Sequence, residues 1–502
     1  MPDTEFFQMT NGSVIEDEAM SEMMYRLMQI TPHKSFVYSW DDIGTASLMS
    51  HLYNDDIRYC PQNGAWYVWD KCWVKHTENG EVSDRLQTLL NLLLLYCMEM
   101  GARHPEDETI KEYRKYVNSI RKFNAMKNIM EVLKTMVRIN LCEMDSNPYL
   151  LNTPTLAYDL KTGDVVQDIA PFNVTKTTAC SLPNAFTKPC MRWYKFIDEI
   201  MSGDKEKARF LQRALGYSLL GVNREECMFI AYGAKTRNGK GTLFSSVTAA
   251  LGSDYSDSVQ PDLICENKNG RGTDFNSPQP QLAKLVGTRL VRMSESSRDV
   301  RLDAASMKTM TGRDTLTARG LFQNPFSFIP QFTLWLETNH LPAVTDDTVF
   351  GSHRIWVIEF NEQFKDGSQD KNLKEIFSDP ENRPTILKWL FDGCADYIKN
   401  GLNPPENVVT ATANYRRLHD RIGNFLEERC KVSEDGKVLR GSLYSAYSQW
   451  CMQPDNRYKP MGSTTFYNEI AARGYPVKRR SDGTFVLGLE LVQNESTPIK
   501  IV

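Results

Sequence analysis

The stretch CMFIAYGAKTRNGKGTLFSSVTAALG, residues 227–252, decides the fold. Its first six residues are a short apolar run, glycines and polar turn formers follow, and GTLFSSVTAALG supplies helix formers before stopping at Gly252. Strand, glycine-rich loop, helix is the order in which a backbone cradles phosphate. The loop N–H groups point at the anion, and the helix start adds its positive dipole end. The usual spelling is G-x-x-x-x-G-K-[ST]. Here five residues separate Gly233 from Gly239, and Gly241 stands where a magnesium-binding hydroxyl is expected.

The neighbouring segments supply what such a loop needs. GTRLVRMSESS gives an apolar strand, Thr288 to Met293, leading to Ser294-Glu295, and FTLWLETNH carries a second strand to Asn339. An acid can hold magnesium or polarise water, and an amide can orient water against a γ-phosphate. Three such groups on successive strand ends form a constellation that a lone loop does not. Short strands alternating with helical segments from Cys227 to Phe364 predict an α/β domain with a central parallel sheet.

Composition bounds the partners. The chain has 502 residues, 41% hydrophobic and 24% charged, with net charge −4, so nucleic-acid contacts must come from local basic patches. Eleven cysteines contain no C-x-x-C pair, which predicts reduced, buried thiols in a cytoplasmic protein. The opening MPDTEFFQMTNGSVIEDEAM is acidic and lacks the order of a signal peptide. LLNLLLLYCM, from Leu89, is too short for a bilayer and reads as a buried helix, so no membrane partner is expected.

Organisation follows from these signals. Residues 1–40 read as a polar leader with the amphipathic stretch EDEAMSEMMYRLMQI. Residues 41–220 read as a helical and small-β region, with hairpin turns at Asn63-Gly64, Asn79-Gly80 and Thr162-Gly163. Residues 221–402 read as the α/β unit that carries the phosphate loop, the candidate ATPase motor. Pro404-Pro405 and ENVVTATAN read as a linker into a C-terminal domain over 403–502. In that domain GSLYSAYSQWC and GSTTFYNEIAARG are helices, and VKRRSDGTFVLG is a hairpin turning at Ser481-Asp482-Gly483. Helix, helix, wing predicts a winged-helix-like module.

The ordered set NGKGT, RLVRMSES, KTMTGRDTLTAR, FIPQFTLWLETNHLP and RIWVIEF resembles the superfamily 3 helicases, specifically the phage and plasmid primase-type helicases related to the poxvirus primase-helicase. HLYNDDIRYCPQNGAWYVWD upstream and FLEERC with FYNEIAARGYPVKRR downstream extend the resemblance over most of the chain. It implies a multidomain α/β protein with an AAA+-like P-loop core. It further implies a replicative DNA helicase of a phage or mobile element, acting in the host cytoplasm. Such a protein forms a hexameric homo-oligomer that hydrolyses ATP with Mg2+, translocates 3′-to-5′ on single-stranded DNA and opens forks. The region 41–220 is then a candidate oligomerisation collar. No primase carboxylates are evident, so a primase or other replication protein is a candidate partner in trans.

The resemblance assigns roles residue by residue. Lys240 is the phosphate-loop lysine, Glu295 the Walker B acid, Asn339 the sensor amide, and Arg354 the finger for a neighbouring subunit's γ-phosphate. His353 stands where the family has another arginine. Gly233, Thr236, Arg237, Asn238, Gly239, Lys240, Gly241, Thr242 and Leu243 form the nucleotide loop, and Thr242 and Glu295 are the magnesium candidates. The extra loop residue shifts the grip toward Gly239 and Lys240 and away from Gly233.

Two surfaces are candidates for DNA. LTARGLFQNPFSFIPQF reads as two strands around Gln323-Asn324-Pro325, with Lys308, Arg313, Arg319, Phe322 and Gln323 as channel-facing residues or, equally, as parts of a packed hairpin. Lys478, Arg479 and Arg480 enrich the C-terminal hairpin, which suits either a DNA backbone or a protein partner. The alternative function is a nucleotide-switched origin-binding or loader ATPase without processive unwinding. An RNA helicase or a packaging motor is a further rival.

Overall fold

A computed structural model describes residues 18–266, 270–275, 277–294, 301–320, 325–344, 348–365, 369–453 and 460–492. The N-terminal region packs helices Glu18–Ile30, Asp42–Leu52, Gly80–Arg103, Glu108–Ile120 and Phe123–Met136 around one apolar core. The leader's amphipathic stretch belongs to it, because Met24 and Leu27 are buried there. Strands β1 (Ile57–Cys60), β2 (Ala65–Asp70) and β3 (Cys72–His76) form one antiparallel sheet. Strands β4 (Leu150–Asn152), β5 (Ala157–Asp159) and β6 (Val165–Val166) form another. The turns at Asn63-Gly64 and Thr162-Gly163 form as expected, with Gly64 and Gly163 at positive φ.

The hairpin expected at Asn79-Gly80 does not form. Asn79 caps the helix that starts at Gly80, and its Oδ1 accepts from Trp66 Nε1 at 2.8 Å. The apolar run from Leu89 pulls the helix in at 3.6-residue periodicity, and that burial outweighs the turn preference of Asn-Gly. Among the described residues no helix is long and apolar enough to cross a membrane.

The centre of the molecule is a five-stranded parallel sheet. Its members are β7 (Met228–Tyr232), β8 (Ser256–Val259), β9 (Leu290–Ser294), β13 (Thr333–Thr338) and β15 (Ile355–Glu359). The short strands β10 (Arg301–Leu302), β11 (Leu316–Ala318), β12 (Phe326–Phe328) and β14 (Ala343–Val344) lie beside it in two small sheets. The spatial order is β15-β7-β13-β9-β8. Such strands are apolar on both faces because helices cover both. Phe229, Ala231 and Trp335 enter one core, with helices Lys205–Tyr217, Lys240–Tyr255 and Arg383–Asn400. Met228, Ile230, Leu334 and Leu336 enter the other, with helix Ala304–Thr311.

The expected linker is instead a helix, Glu406–His419, packed against the central sheet. Val408, Ala411 and Tyr415 are buried, and Thr412 Oγ1 accepts from Val357 N at 3.0 Å on the edge strand β15. Their i, i+3, i+7 spacing is the helical signal that the preceding Pro-Pro pair obscures. The last region has helices Arg421–Arg429, Arg440–Cys451 and Ser463–Ala472. It also has an antiparallel sheet of order β16-β18-β17, from β16 (Cys430–Leu439), β17 (Val477–Arg480) and β18 (Gly483–Leu491). Strand β16 was not expected; it contains the turn-prone Glu434-Asp435-Gly436. The strand absorbs that segment as an irregularity between Val432 and Lys437.

Candidate functional site

The loop between β7 and the Lys240–Tyr255 helix is held from both ends. Gly233 N donates to Thr338 O at 3.2 Å at the end of the central strand, and Phe364 N donates to Arg237 O at 2.9 Å. Arg237 and Gly239 both sit at positive φ, 61° and 86°, which turns the chain sharply into the helix. A Cβ at Gly239 would overlap Ile200 Cγ2, and one at Gly233 would overlap Asn238 Nδ2 and lie 3.0 Å from Lys240 Nζ. Both glycines are therefore required by close approach, Gly233 as much as Gly239. Asn238 Nδ2 braces the turn on Lys235 O at 2.6 Å, while Leu243 anchors the helix in the core. Thr236 and Arg237 are exposed.

Lys240 is 5% exposed. Its Nζ donates to Asn339 Oδ1 at 2.9 Å and to Gly233 O at 3.3 Å, so the loop lysine and the strand-end amide meet directly. Burial lowers the ammonium pKa to about 8, and the nearby Glu337 carboxylate offsets part of that. A desolvated cation with two neutral hydrogen-bond partners is a site prepared for an anion. The residues thus fit a triphosphate.

Glu337 was not anticipated. It lies in β13 two positions before Asn339, which follows the end of that strand. Its register partners are Ala231 on β7 and Ser294 on β9. Arg292 Nε and Nη2 both reach its Oε2, at 2.7 and 2.6 Å. Among the described residues no cluster of three His, Cys, Asp or Glu side chains forms a metal cage. Magnesium that travels with phosphates needs only one or two carboxylates.

The loop also borders a cavity of about 460 Å³. Thr242, Gly239, Arg237, Phe196, Arg192 and Phe364 are among the residues that line it. Arg192 is paired with Glu199 at 3.0 Å and with Asp370 at 3.8 Å. Helix Met191–Ile200 supplies Phe196, Arg192 and the Ile200 contact under Gly239, none of which the loop motif itself reveals.

The remaining candidates are elsewhere. Arg354 stands just before β15, at the end of the sheet opposite the loop. It is bound to Glu226 Oε2 at 2.7 Å and Thr311 Oγ1 at 3.0 Å. His353 beside it is exposed, at φ 54°, and stacks on Trp356 at 5.5 Å. Arg313 joins the same acid, 3.6 Å from Glu226 Oε1. Lys308 lies on helix Ala304–Thr311 and Arg319 just after β11, both half-buried. The strands of the expected hairpin pair as β11 and β12, whereas Glu295, Phe322 and Gln323 lie outside the described residues. Lys478, Arg479 and Arg480 are all exposed on β17.

Comparison with known families matches segments on both sides of the central sheet. Residues 46–202 match the family described as D5 N terminal like, and residues 418–478 match Poxvirus D5 protein-like. Two segments of the chain are thus similar to D5-type families. Viral proteins named "Putative helicase" are also similar to the chain. One from Acanthamoeba polyphaga mimivirus is 26% identical over 445 residues, covering 78% of this chain and 43% of the relative. One from frog virus 3 is 26% identical over 284 residues, 53% of this chain and 28% of the relative. One from Sputnik virophage is 24% identical over 190 residues, 34% and 24% respectively. The chain thus spans less than half the length of these viral relatives. Among solved structures, the A form apo structure of the NrS-1 C terminal region is similar at TM-score 0.44 and 11% identity. That match covers 90% of this chain and 99% of that one.

Proposed function

We propose that this D5-type relative is an ATP-dependent DNA helicase that assembles as a homo-hexamer on single-stranded and forked DNA. The observation that carries this reading is the 2.9 Å link between Lys240 Nζ and Asn339 Oδ1, which joins the phosphate loop to the end of the central strand beside it. ATP is the substrate. Its β- and γ-phosphates take over the Lys240 ammonium, and the amides of residues 236–241 wrap the β-phosphate. Once the lysine turns to phosphate, Asn339 is released to orient the attacking water. Gly239, Thr242 and Leu243 fix the helix end of the site, and the cavity lined by Phe196, Arg192 and Phe364 receives the base. Thr242 and Glu295 are the candidates for holding Mg2+, which neutralises charge on the phosphates.

Arg354 completes the site of a neighbour, since its own loop is a strand length away. Hydrolysis therefore depends on assembly, with fingers elsewhere worth roughly a thousandfold or more. Lys308, Arg313, Arg319 and the β11–β12 hairpin contact DNA in the ring channel, with 3′-to-5′ translocation. The C-terminal unit, in the order helix, β16, two helices, β17, β18, acts as a winged helix whose exposed Lys478, Arg479 and Arg480 meet a phosphate backbone.

That exposed basic strand also favours a second reading, a nucleotide-switched origin-binding or loader ATPase. Strand displacement from a forked duplex separates the two. A helicase displaces the strand with wild type and ATP, and fails with Lys240→Ala. ATP hydrolysis without displacement selects the loader.

A further inference from the structure

We propose that Glu337 takes the place of the hydroxyl missing from the phosphate loop and holds, through Oε1, the magnesium ion that accompanies ATP. The inference rests on the nucleotide reading above. A phosphate loop ordinarily offers a Ser or Thr hydroxyl to the metal directly after its lysine. This loop offers Gly241. A Cβ built at Gly241 would point at Glu337 Oε1, 3.6 Å away and in ordinary contact. The space a hydroxyl would use is therefore faced by a carboxylate oxygen brought in by the adjacent strand.

The way Glu337 is bound supports a free coordinating oxygen. An arginine and a carboxylate that serve only each other commonly pair as two forks, one donor to each oxygen. Here both Arg292 donors converge on Oε2, at 2.7 and 2.6 Å. Among the described residues Oε1 receives no hydrogen bond, although Glu337 is only 8% exposed. Lys240 does not take it either, since its ammonium bonds Asn339 and Gly233. Arg292 thus fixes the carboxylate, offsets the charge that would repel phosphate, and leaves one oxygen turned toward the loop. A hard cation bound mainly by phosphates and water takes only one or two such oxygens from the protein, and Glu337 Oε1 supplies one beside the Thr242 and Glu295 candidates.

The test is binding of the fluorescent nucleotide mant-ATP to the full chain, titrated with Mg2+ and repeated in EDTA. Glu337→Gln keeps the shape of the side chain. The proposal expects its metal-free nucleotide affinity to be unchanged or higher, while the Mg2+ concentration for half-maximal tightening rises about tenfold or more. Gly241→Ser in that background supplies the hydroxyl and brings the midpoint back toward wild type. Mn2+ in place of Mg2+, followed by its electron paramagnetic resonance signal, reports the same loss and rescue without turnover. A wild-type midpoint in Glu337→Gln overturns the proposal, as does nucleotide affinity that falls equally with and without metal, the mark of a purely structural pair. If Glu337→Gln does not fold, Gly241→Ser alone decides. A lowered Mg2+ midpoint supports the shared site, and an unchanged one contradicts it. A wild-type chain that never binds mant-ATP overturns the nucleotide reading itself.

Discussion

Arg354 is bound to Glu226 at 2.7 Å, and its backbone oxygen accepts from Met228 N at 2.9 Å, level with the first residue of β7. The phosphate loop leaves from the other end of that strand. At about 3.3 Å per residue the two ends are roughly 15 Å apart, so this arginine cannot serve the loop of its own chain. Glu226 also engages Arg313, and the acid, at φ 47°, clamps both guanidiniums at the rim.

This arrangement predicts complementation. Arg354→Ala should retain ATP binding yet lose hydrolysis by about a thousandfold in the assembled protein. Mixing Arg354→Ala with Lys240→Ala chains should recover part of the activity, because some interfaces then join an intact loop to an intact finger. Steady-state ATPase across mixing ratios measures this. Activity that never exceeds that of either variant would remove Arg354 from the site.

On the proposed reading, Lys240 should make nucleotide binding depend on pH. Its folded pKa, about 8, lies below the ordinary 10.5 because burial disfavours the charged form. Below about pH 8 the ammonium is charged and ready for phosphate; above it the site empties of charge. Phosphate favours the charged form, so ATP binding above about pH 8 should take up a proton and weaken as pH rises. The empty chain responds in the opposite direction, carrying the full burial cost below about pH 8 and shedding it, so gaining stability, as pH approaches 10.5. Calorimetry in buffers of different ionisation heat detects the uptake. Affinity that stays flat through this range contradicts it.

Gly239→Ala should damage both fold and site. The residue adopts φ 86° and its new Cβ would meet Ile200, so the substitution combines backbone strain with a clash. The expected loss is about 1–3 kcal/mol in denaturant unfolding, with nucleotide binding lost at the same time. Unchanged stability and binding would show that the loop does not pack on helix Met191–Ile200 in this way.

Much of this site was legible before the structure, for identifiable reasons. Apolar strands ending in polar residues mark a parallel sheet, so β7, β9 and β13 and the placement of Lys240 and Asn339 followed from pattern. Arg292–Glu337 was hidden because it joins side chains from two strands, and only their pairing register brings them together. Phe196 and Ile200 come from a helix whose contact with the loop is set by tertiary packing alone. The Glu406–His419 helix was obscured by local signals, since Pro-Pro outweighed a buried stripe of three residues. Asn79-Gly80 failed in the opposite direction, where a strong turn dipeptide yielded to a long apolar helix.

The C-terminal strand Lys478–Arg480 makes a prediction about salt. Replacing Lys478, Arg479 and Arg480 by Ala should weaken DNA binding with little dependence on sequence. It should also make the slope of log affinity against log salt shallower by about 2 to 3, nearly one per lost phosphate contact. Fluorescence anisotropy over a salt series measures it. An unchanged slope would assign this surface to a protein partner.

The account stands most directly on whether Lys240 grips a triphosphate. Equilibrium titration of the wild-type chain with labelled ATP should give saturable binding. Lys240→Met should weaken it about 10- to 100-fold, the worth of a charge-assisted hydrogen bond in a buried site. Equal affinity in the two chains, or no binding in either, would contradict the account.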